Sequence, residues 1–325
     1  MNRLLFKFQL LVSKSSILVG GQAVIEGVMM RVPGAYATAV RDLNGNIQTD
    51  RHEFKSITEI YPLLNKPLIR GIFGLFESLK IGYSTLQWSA NVIADEEKNT
   101  TSNKFVDVLL TVFSVSLALA LFFAAPIGLT SWLFDKDQDA FIFNVISGIF
   151  RVVFFIIYLG LISLMKDVRR LFQYHGAEHK TVYNFESGKK LNVFNAQQFP
   201  TQHPRCGTSF LFIIMIVAIL SFAFLDTVIM LYVNELKIWM RLVFHIPFIP
   251  IVGGLGYEVL KLTAKHRGNF FFRALAKPGL WLQNITTKQP DDRQVEVALK
   301  ALEEAFGDKL STYTRGNTYV AEAIG

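Results

Sequence analysis

The stretch VLLTVFSVSLALALFFAAPIGLTSWLF, residues 108–134, decides the fold. It carries no charged side chain from Val108 to Phe134, and as a helix it is long enough to cross about 30 Å of hydrocarbon. Three more stretches of the same kind follow. Ala140 to Met165 carries only Arg151, and Cys206 to Val233 is interrupted only by Asp226. Ile238 to Tyr257 has Arg241 near its start, then Pro247, Pro250, Gly253, Gly254 and Gly256, which predict a kinked fourth span. The whole chain agrees: 51% of its 325 residues are hydrophobic, 29 are phenylalanine and the mean hydropathy is +0.33. An ordinary soluble enzyme of this length is less apolar and more even. The expected fold is a mainly α membrane protein with about four transmembrane helices and a small α+β head.

Lysine and arginine are retained on the cytoplasmic side of a membrane, so their distribution sets the orientation. The region before Val108 is basic, and so is the loop after the second span, with Lys166, Arg169, Arg170, Lys180, Lys189, Lys190 and Arg205. The tail adds Lys261, Lys265, Arg267, Arg273 and Lys277, whereas the connection between the first two spans, residues 135–139, is acidic. Both termini, the middle loop and the head are therefore expected on the cytoplasmic or stromal face. The net charge of +7 then reflects topology and contact with anionic lipid, with no nucleic acid required. A single cysteine rules out an internal disulfide and fits a reducing compartment or a metal ligand. Residues 1–19 are interrupted by Lys7 and Lys14 and have no clean cleavage site, which predicts a surface-lying start with no removed signal.

Three regions follow. Residues 1–104 form a cytoplasmic-side region. In it, Tyr36 to Arg41 and Asn46 to His52 flank Asp42-Leu43-Asn44-Gly45, a strong hairpin signal. Lys66 to Ile93 has Leu68, Ile72, Leu75, Phe76, Leu79 and Tyr83 at helical spacing and predicts an amphipathic helix lying on the membrane or on the spans, followed by a polar linker over Asp95 to Lys104. Residues 105–263 hold the spans and the loop 166–205. Residues 264–325 hold an interfacial segment, Asn269 to Leu282, and a capped helix over Asp291 to Phe306 with Val295, Ala298, Leu299, Leu302 and Phe306 on one face.

The chemistry concentrates in Tyr174-His175-Gly176-Ala177-Glu178-His179-Lys180. On a helix, His175, Glu178 and His179 at i, i+3 and i+4 share one face. His-x-x-Glu-His is also the inverted zinc-hydrolase pattern, in which both imidazoles hold the metal and the glutamate serves as base. Gly176 argues against the helix this requires. The topology brings two more groups to the same side: His203 with Cys206 at the entry to span three, and Glu258 at the exit of span four. Glu258 is the natural third ligand of an open, hydrolytic zinc or iron site. His203 and Cys206 complete a competing closed, structural one. The ordinary alternatives are solvated histidines, a packed cysteine, and Glu258 paired with Lys261 or Arg267. The glycine-rich run Gly20 to Arg31 lacks the phosphate-loop and dinucleotide patterns, so its glycines are expected to permit turns or close approach, with Glu26 and Arg31 near the site. Within the membrane, Arg151 and Asp226 lie at comparable depth and are expected to pair.

Five motifs together resemble the YqhQ-like family of bacterial and plastid membrane proteins: residues 20–31, 174–180, 203–209, 256–261 and 289–298. The resemblance spans most of the chain. It implies a multi-pass protein of a bacterial plasma membrane or a plastid membrane, in a family of unknown function for which metal-dependent enzyme activity has been suggested. The abundance of Phe, Ile, Asn and Lys points to an AT-rich genome such as that of a red-algal plastid. Three functions are consistent with these features: a metal-dependent hydrolase at the membrane interface with Glu178 as base, a non-catalytic assembly or scaffold factor docking a membrane-protein partner or a second copy, and transport using Arg151, Asp226 and His245.

Overall fold

The computed structural model describes residues 19–94, 104–134, 140–204, 206–233, 236, 238–266 and 269–314. The expectations for the start of the chain, the linker before the first span and the acidic connection 135–139 lie outside the described residues.

Four strands open the chain: β1 (Gly20–Val24), β2 (Gly27–Val32), β3 (Ala35–Arg41) and β4 (Ile47–Glu53). They pair in sequence order as an antiparallel meander. The β3–β4 hairpin turns where Asn44-Gly45 predicts, with Gly45 at φ +90°. The β1–β2 hairpin departs from expectation: the glycine-rich run is two strands joined by Ile25 and Glu26, with Glu26 itself at φ +52°. Gly21 must stay glycine because a Cβ there would lie 2.2 Å from the Met29 carbonyl oxygen.

A short helix α1 (Ile57–Ile60) leads into α2 (Ile69–Ala94). The predicted amphipathic helix is present. Its buried positions are Gly71, Ile81, Thr85 and Ser89, whereas Phe76, Leu79 and Tyr83 are exposed. The polar side chains anchor it to β1: Gln22 donates to the Gly82 carbonyl (3.0 Å) and the Thr85 hydroxyl (2.9 Å), and the Ile25 amide donates to Ser89 (3.2 Å).

The first span is α3 (Lys104–Leu119) continued through a π turn at Ala120–Ala124 into α4 (Ala125–Leu133). α5 (Ala140–Ile162), α8 (Gly207–Met230) and α9 (Ile238–Lys265) are the others. All four are long and apolar enough to cross a membrane, over Val108–Leu133, Phe141–Ile162, Phe210–Met230 and Val243–Thr263. α8 packs between α5 and α9. Helix α9 continues through Pro247 and Pro250. Arg151 does not meet Asp226 in an ion pair. Asp226 is held by Arg241 (3.1 Å) and His245 (2.7 Å), because all three sit near the same end of the bundle while Arg151 lies deeper.

After α5 the chain leaves the bundle as α6 (Lys166–Glu186), makes a short helix α7 (Val193–Gln197), and after α9 returns along α8 as α10 (Phe270–Thr286). α11 (Asp292–Phe306) and the short α12 (Leu310–Thr314) end the described chain. The helix predicted over Asp291 to Phe306 is present. Asp291 caps the Gln294 amide (2.8 Å) and the Gln294 side chain caps back (3.0 Å), a reciprocal arrangement that contributes about 1 kcal/mol. Its apolar face is buried against β2 and β3, where each enclosed leucine or phenylalanine contributes about 2 kcal/mol. The core of the head joins Val28, Met30 and Val32 to Tyr174, Val182 and Phe185 of α6 and to Val295, Leu302 and Phe306 of α11. Three distant parts of the sequence therefore build one head, and α6 runs through its centre.

α2 crosses α9 where both backbones are bare. A Cβ on Gly71 would lie 3.0 Å from the Gly254 Cα, and one on Gly254 would lie 2.7 Å from the Leu68 carbonyl oxygen. Glu258 locks this crossing, accepting from Arg70 Nε (2.8 Å), Arg70 Nη2 (2.6 Å) and the Leu68 amide (3.2 Å). A forked, partly shielded pair of this kind contributes about 1–2 kcal/mol. Glu258→Ala is expected to lower the thermal midpoint of the detergent-solubilised protein and expose α2 to protease, leaving any bound metal in place. Metal loss with α2 still protected would assign Glu258 to the metal.

Candidate metal centre

Helix α6 extends straight through the predicted motif. Gly176 does not break it, and the reason for the glycine is tertiary: a Cβ there would lie 2.1 Å from the Lys288 carbonyl oxygen, where the α10–α11 connection crosses the helix. The Lys288 amide donates to the Phe172 carbonyl (2.9 Å), which fixes the crossing. With the helix intact, His175, Glu178 and His179 fall on neighbouring positions of one face.

Cys206 meets them from the N-cap of α8. One ligand atom each from His175, His179 and Cys206 lies within 4.8 Å of the others. The His175 Nε2 to Cys206 Sγ distance is 3.1 Å and the two imidazole centroids are 4.5 Å apart. Around a tetrahedral ion with metal–nitrogen and metal–sulfur bonds of about 2.0 and 2.3 Å, nitrogen and sulfur lie about 3.5 Å apart, so the cluster is close to that spacing.

Both rings are oriented by backbone. His175 Nδ1 donates to the Thr286 carbonyl (2.8 Å), and His179 Nδ1 donates to the Thr201 carbonyl. These bonds place the proton on Nδ1 and turn the Nε2 lone pair inward, the arrangement that carbonyl partners impose on metal-binding histidines. His179 Nε2 is buried and makes no well-formed hydrogen bond; its polar neighbours are Cys206 and Glu178. Burial holds His179 below the ordinary imidazole value of 6.5, against the opposing effect of Cys206, and burial likewise lowers His175 against the opposing charge of Glu178. Both rings are thus kept neutral, the form that binds metal. Cys206 Sγ accepts from the Thr208 amide at 3.4 Å, which fixes the sulfur at the N-cap of α8.

Glu178 is buried beneath β1, where a Cβ on Gly21 would lie 3.1 Å from its Cγ. Its Oε2 is 3.4 Å from His179 Nε2. The carboxylate therefore stands beside the cluster, within reach of anything the three ligands hold. His179 and Cys206 are buried and His175 is half-buried.

The remaining predicted ligands lie elsewhere. His203 stacks beyond His179, with ring centroids 5.5 Å apart, and its Nε2 faces buried Glu186 at 3.7 Å. A reciprocal pair of bonds from Gln283 holds its backbone. It backs the cluster without joining the group of three. Glu258 serves the α2–α9 crossing described above, because Arg70 and the Leu68 amide occupy its oxygens. Glu26 pairs with Arg170, whose Nη2 lies 2.5 Å from Oε2, and accepts from the Tyr174 hydroxyl (3.3 Å), on a neighbouring flank of α6. Arg31 lies over the Phe54 ring at 4.5 Å. A cavity of about 780 Å³ opens on that Glu26 flank, lined by Arg41, Asp167, Arg170 and Tyr174 and none of the cluster residues. Lys180, read as a surface charge, is buried, and its Nζ donates to the Gln197 (2.9 Å) and Phe199 (2.6 Å) carbonyls, tying down the loop before Cys206. Sequence reasoning also missed Thr201 and Thr286, whose contribution is main-chain and leaves no side-chain signature, and Gln283.

Residues 66–308 match the family described as protein of unknown function (DUF1385). The chain is 31% identical over 302 residues to the uncharacterized protein YqhQ of Bacillus subtilis (strain 168), covering 88% of this chain and 91% of that protein. No solved structure matches the chain.

Proposed function

The chain belongs to the DUF1385 family, and from that premise we propose that its head carries a metal-dependent hydrolytic centre at a membrane surface. His175, His179 and Cys206 hold a zinc or iron ion, and Glu178 acts as general base. The observation that carries this proposal is the buried Nε2 of His179 converging with His175 Nε2 and the Cys206 sulfur, with one ligand atom from each within 4.8 Å of the others. Three protein ligands would leave a coordination position open for water. When bound, such a metal polarises substrate and activates water. The side chains on the page supply the rest. Glu178 takes the proton, β1 over Glu178 limits water entry, and the Thr201 and Thr286 carbonyls keep both imidazoles in one tautomer.

Cys206 caps α8 about one turn before its apolar span begins at Phe210, which favours a substrate that is itself in or derived from the membrane. A bacterial plasma membrane suits the relative in Bacillus subtilis, and the comparisons give the plastid expectation no support.

A pH titration of metal uptake tests the ligand set. A base held below its ordinary value in the folded state contributes stability above 6.5 that is lost as the pH falls toward its lowered value. Both neutral imidazoles are therefore expected to retain metal through pH 6.5 and to release it only as the pH falls further, with apo-protein stability falling over the same window. Release beginning above 6.5 contradicts burial of the pair. Glu178→Gln separates this function from a scaffold with a closed structural metal: it should keep the metal and its partners in pull-downs from solubilised membranes, yet fail to support function. A scaffold should tolerate it.

A further inference from the structure

The half of the bundle remote from the head holds ionisable groups that the metal centre does not use. On α5, Asn144, Ser147 and Arg151 stand at i, i+3 and i+7 and share a face. On α9, Arg241 and His245 stand at i and i+4, and α8 contributes Asp226, which is fully buried. At about 1.5 Å per residue from the helix ends, Asn144, Asp226 and Arg241 lie roughly 5 Å deep, Ser147 and His245 roughly 10 Å, and Arg151 roughly 16 Å, near the middle of the bilayer.

The upper tier closes on itself. Asp226 accepts from Asn144 (2.9 Å) and His245 (2.7 Å) and pairs with Arg241 (3.1 Å), which also donates to the Asn144 side-chain oxygen (3.2 Å). The lower tier does not. Ser147 is 0% exposed and its Oγ has no hydrogen-bond partner, and Arg151 Nε is buried without one. The Arg151 guanidinium lies over the Phe123 ring, 5.5 Å away, presented by the π turn of the first span. Arg151 lies within electrostatic reach of Asp226 and Arg241, but Arg241 already answers the Asp226 charge. One positive charge is left over beside a buried, unbonded hydroxyl, at a depth where neither is tolerated without a partner.

We propose that Arg151 and Ser147 bind a small monovalent anion that enters from the end remote from the head, past the Asn144, Asp226 and Arg241 tier. A monovalent ion supplies the missing charge with less desolvation than a doubly charged phosphate. A phospholipid phosphate stays at headgroup depth, roughly 15 Å away. Chloride and a short carboxylate share the required chemistry, so both are probes.

The test measures the thermal midpoint of the detergent-purified full chain in sodium chloride, sodium formate or sodium gluconate at equal ionic strength. The wild type should melt several degrees higher, saturably, in chloride, formate or both, and whichever acts names the source. The shift should vanish in Arg151→Gln, shrink in Ser147→Ala and persist in Arg169→Gln, which lies on the exposed side of α6. In gluconate, Arg151→Gln should melt no lower than wild type, since it removes an unanswered charge. No specific shift in the wild type, or a full shift surviving in Arg151→Gln, overturns the proposal. If Arg151→Gln does not accumulate, an undiminished shift in Ser147→Ala overturns it as well.

Discussion

His179→Ala is expected to weaken metal binding by at least about 1000-fold, read as competition against a chelator of known affinity. It removes one of three protein ligands together with the atom that turns inward most completely. Its Nε2 is buried at the centre of the cluster, between Cys206 and Glu178. The effect should exceed that of His203→Ala, because the His203 ring lies behind His179 and faces Glu186. Cys206→Ser should fall between these two, since a hydroxyl is a poorer ligand for zinc or iron than a thiolate. A His203→Ala variant that loses metal as completely as His179→Ala would move the centre toward the closed, structural ligand set.

Gly176→Ala should be among the most damaging single-methyl changes in the head. The added carbon would lie 2.1 Å from a backbone carbonyl oxygen, which cannot rotate away as the end of a side chain can. Either α6 or the α10–α11 connection must move. The connection is pinned on one side by the Lys288–Phe172 bond and on the other by the capped start of α11. A cost of about 3 kcal/mol is expected, at the upper end for overpacking, with loss of metal because Thr286 and its hold on His175 lie just before the connection. The check is the thermal midpoint and metal content of the variant beside Gly74→Ala, where a Cβ meets nothing within 4 Å. Equal behaviour of the two variants contradicts the crossing described.

The parts of this fold legible in the sequence are those set by local chemistry. Uncharged length marks the four spans, Asn44-Gly45 marks one hairpin, and Asp291 with Gln294 marks the start of α11. The i, i+3, i+4 spacing put His175, Glu178 and His179 on one face, and topology put Cys206 beside them. What stayed illegible depends on partners far away in sequence. The β1–β2 hairpin has no turn residues of its own, since Glu26 adopts the positive φ that glycine or asparagine usually supplies. Gly176 reads as a helix breaker until Lys288 is seen crossing it. Glu258 reads as a ligand until Arg70 is seen beside it, and Arg151 reads as the partner of Asp226 until Arg241 arrives from the next helix. For Glu258 and Arg151 the residue type announced a buried polar interaction while the chain gave no clue to the second member.

The most direct test of the metal centre is elemental analysis of the full-length protein purified in detergent without chelator, alongside a His175→Ala, His179→Ala double variant that is still folded. The structure predicts about one zinc or iron ion per wild-type chain and none in the double variant. A wild type without stoichiometric zinc, iron or manganese, and indistinguishable from the double variant, would contradict it.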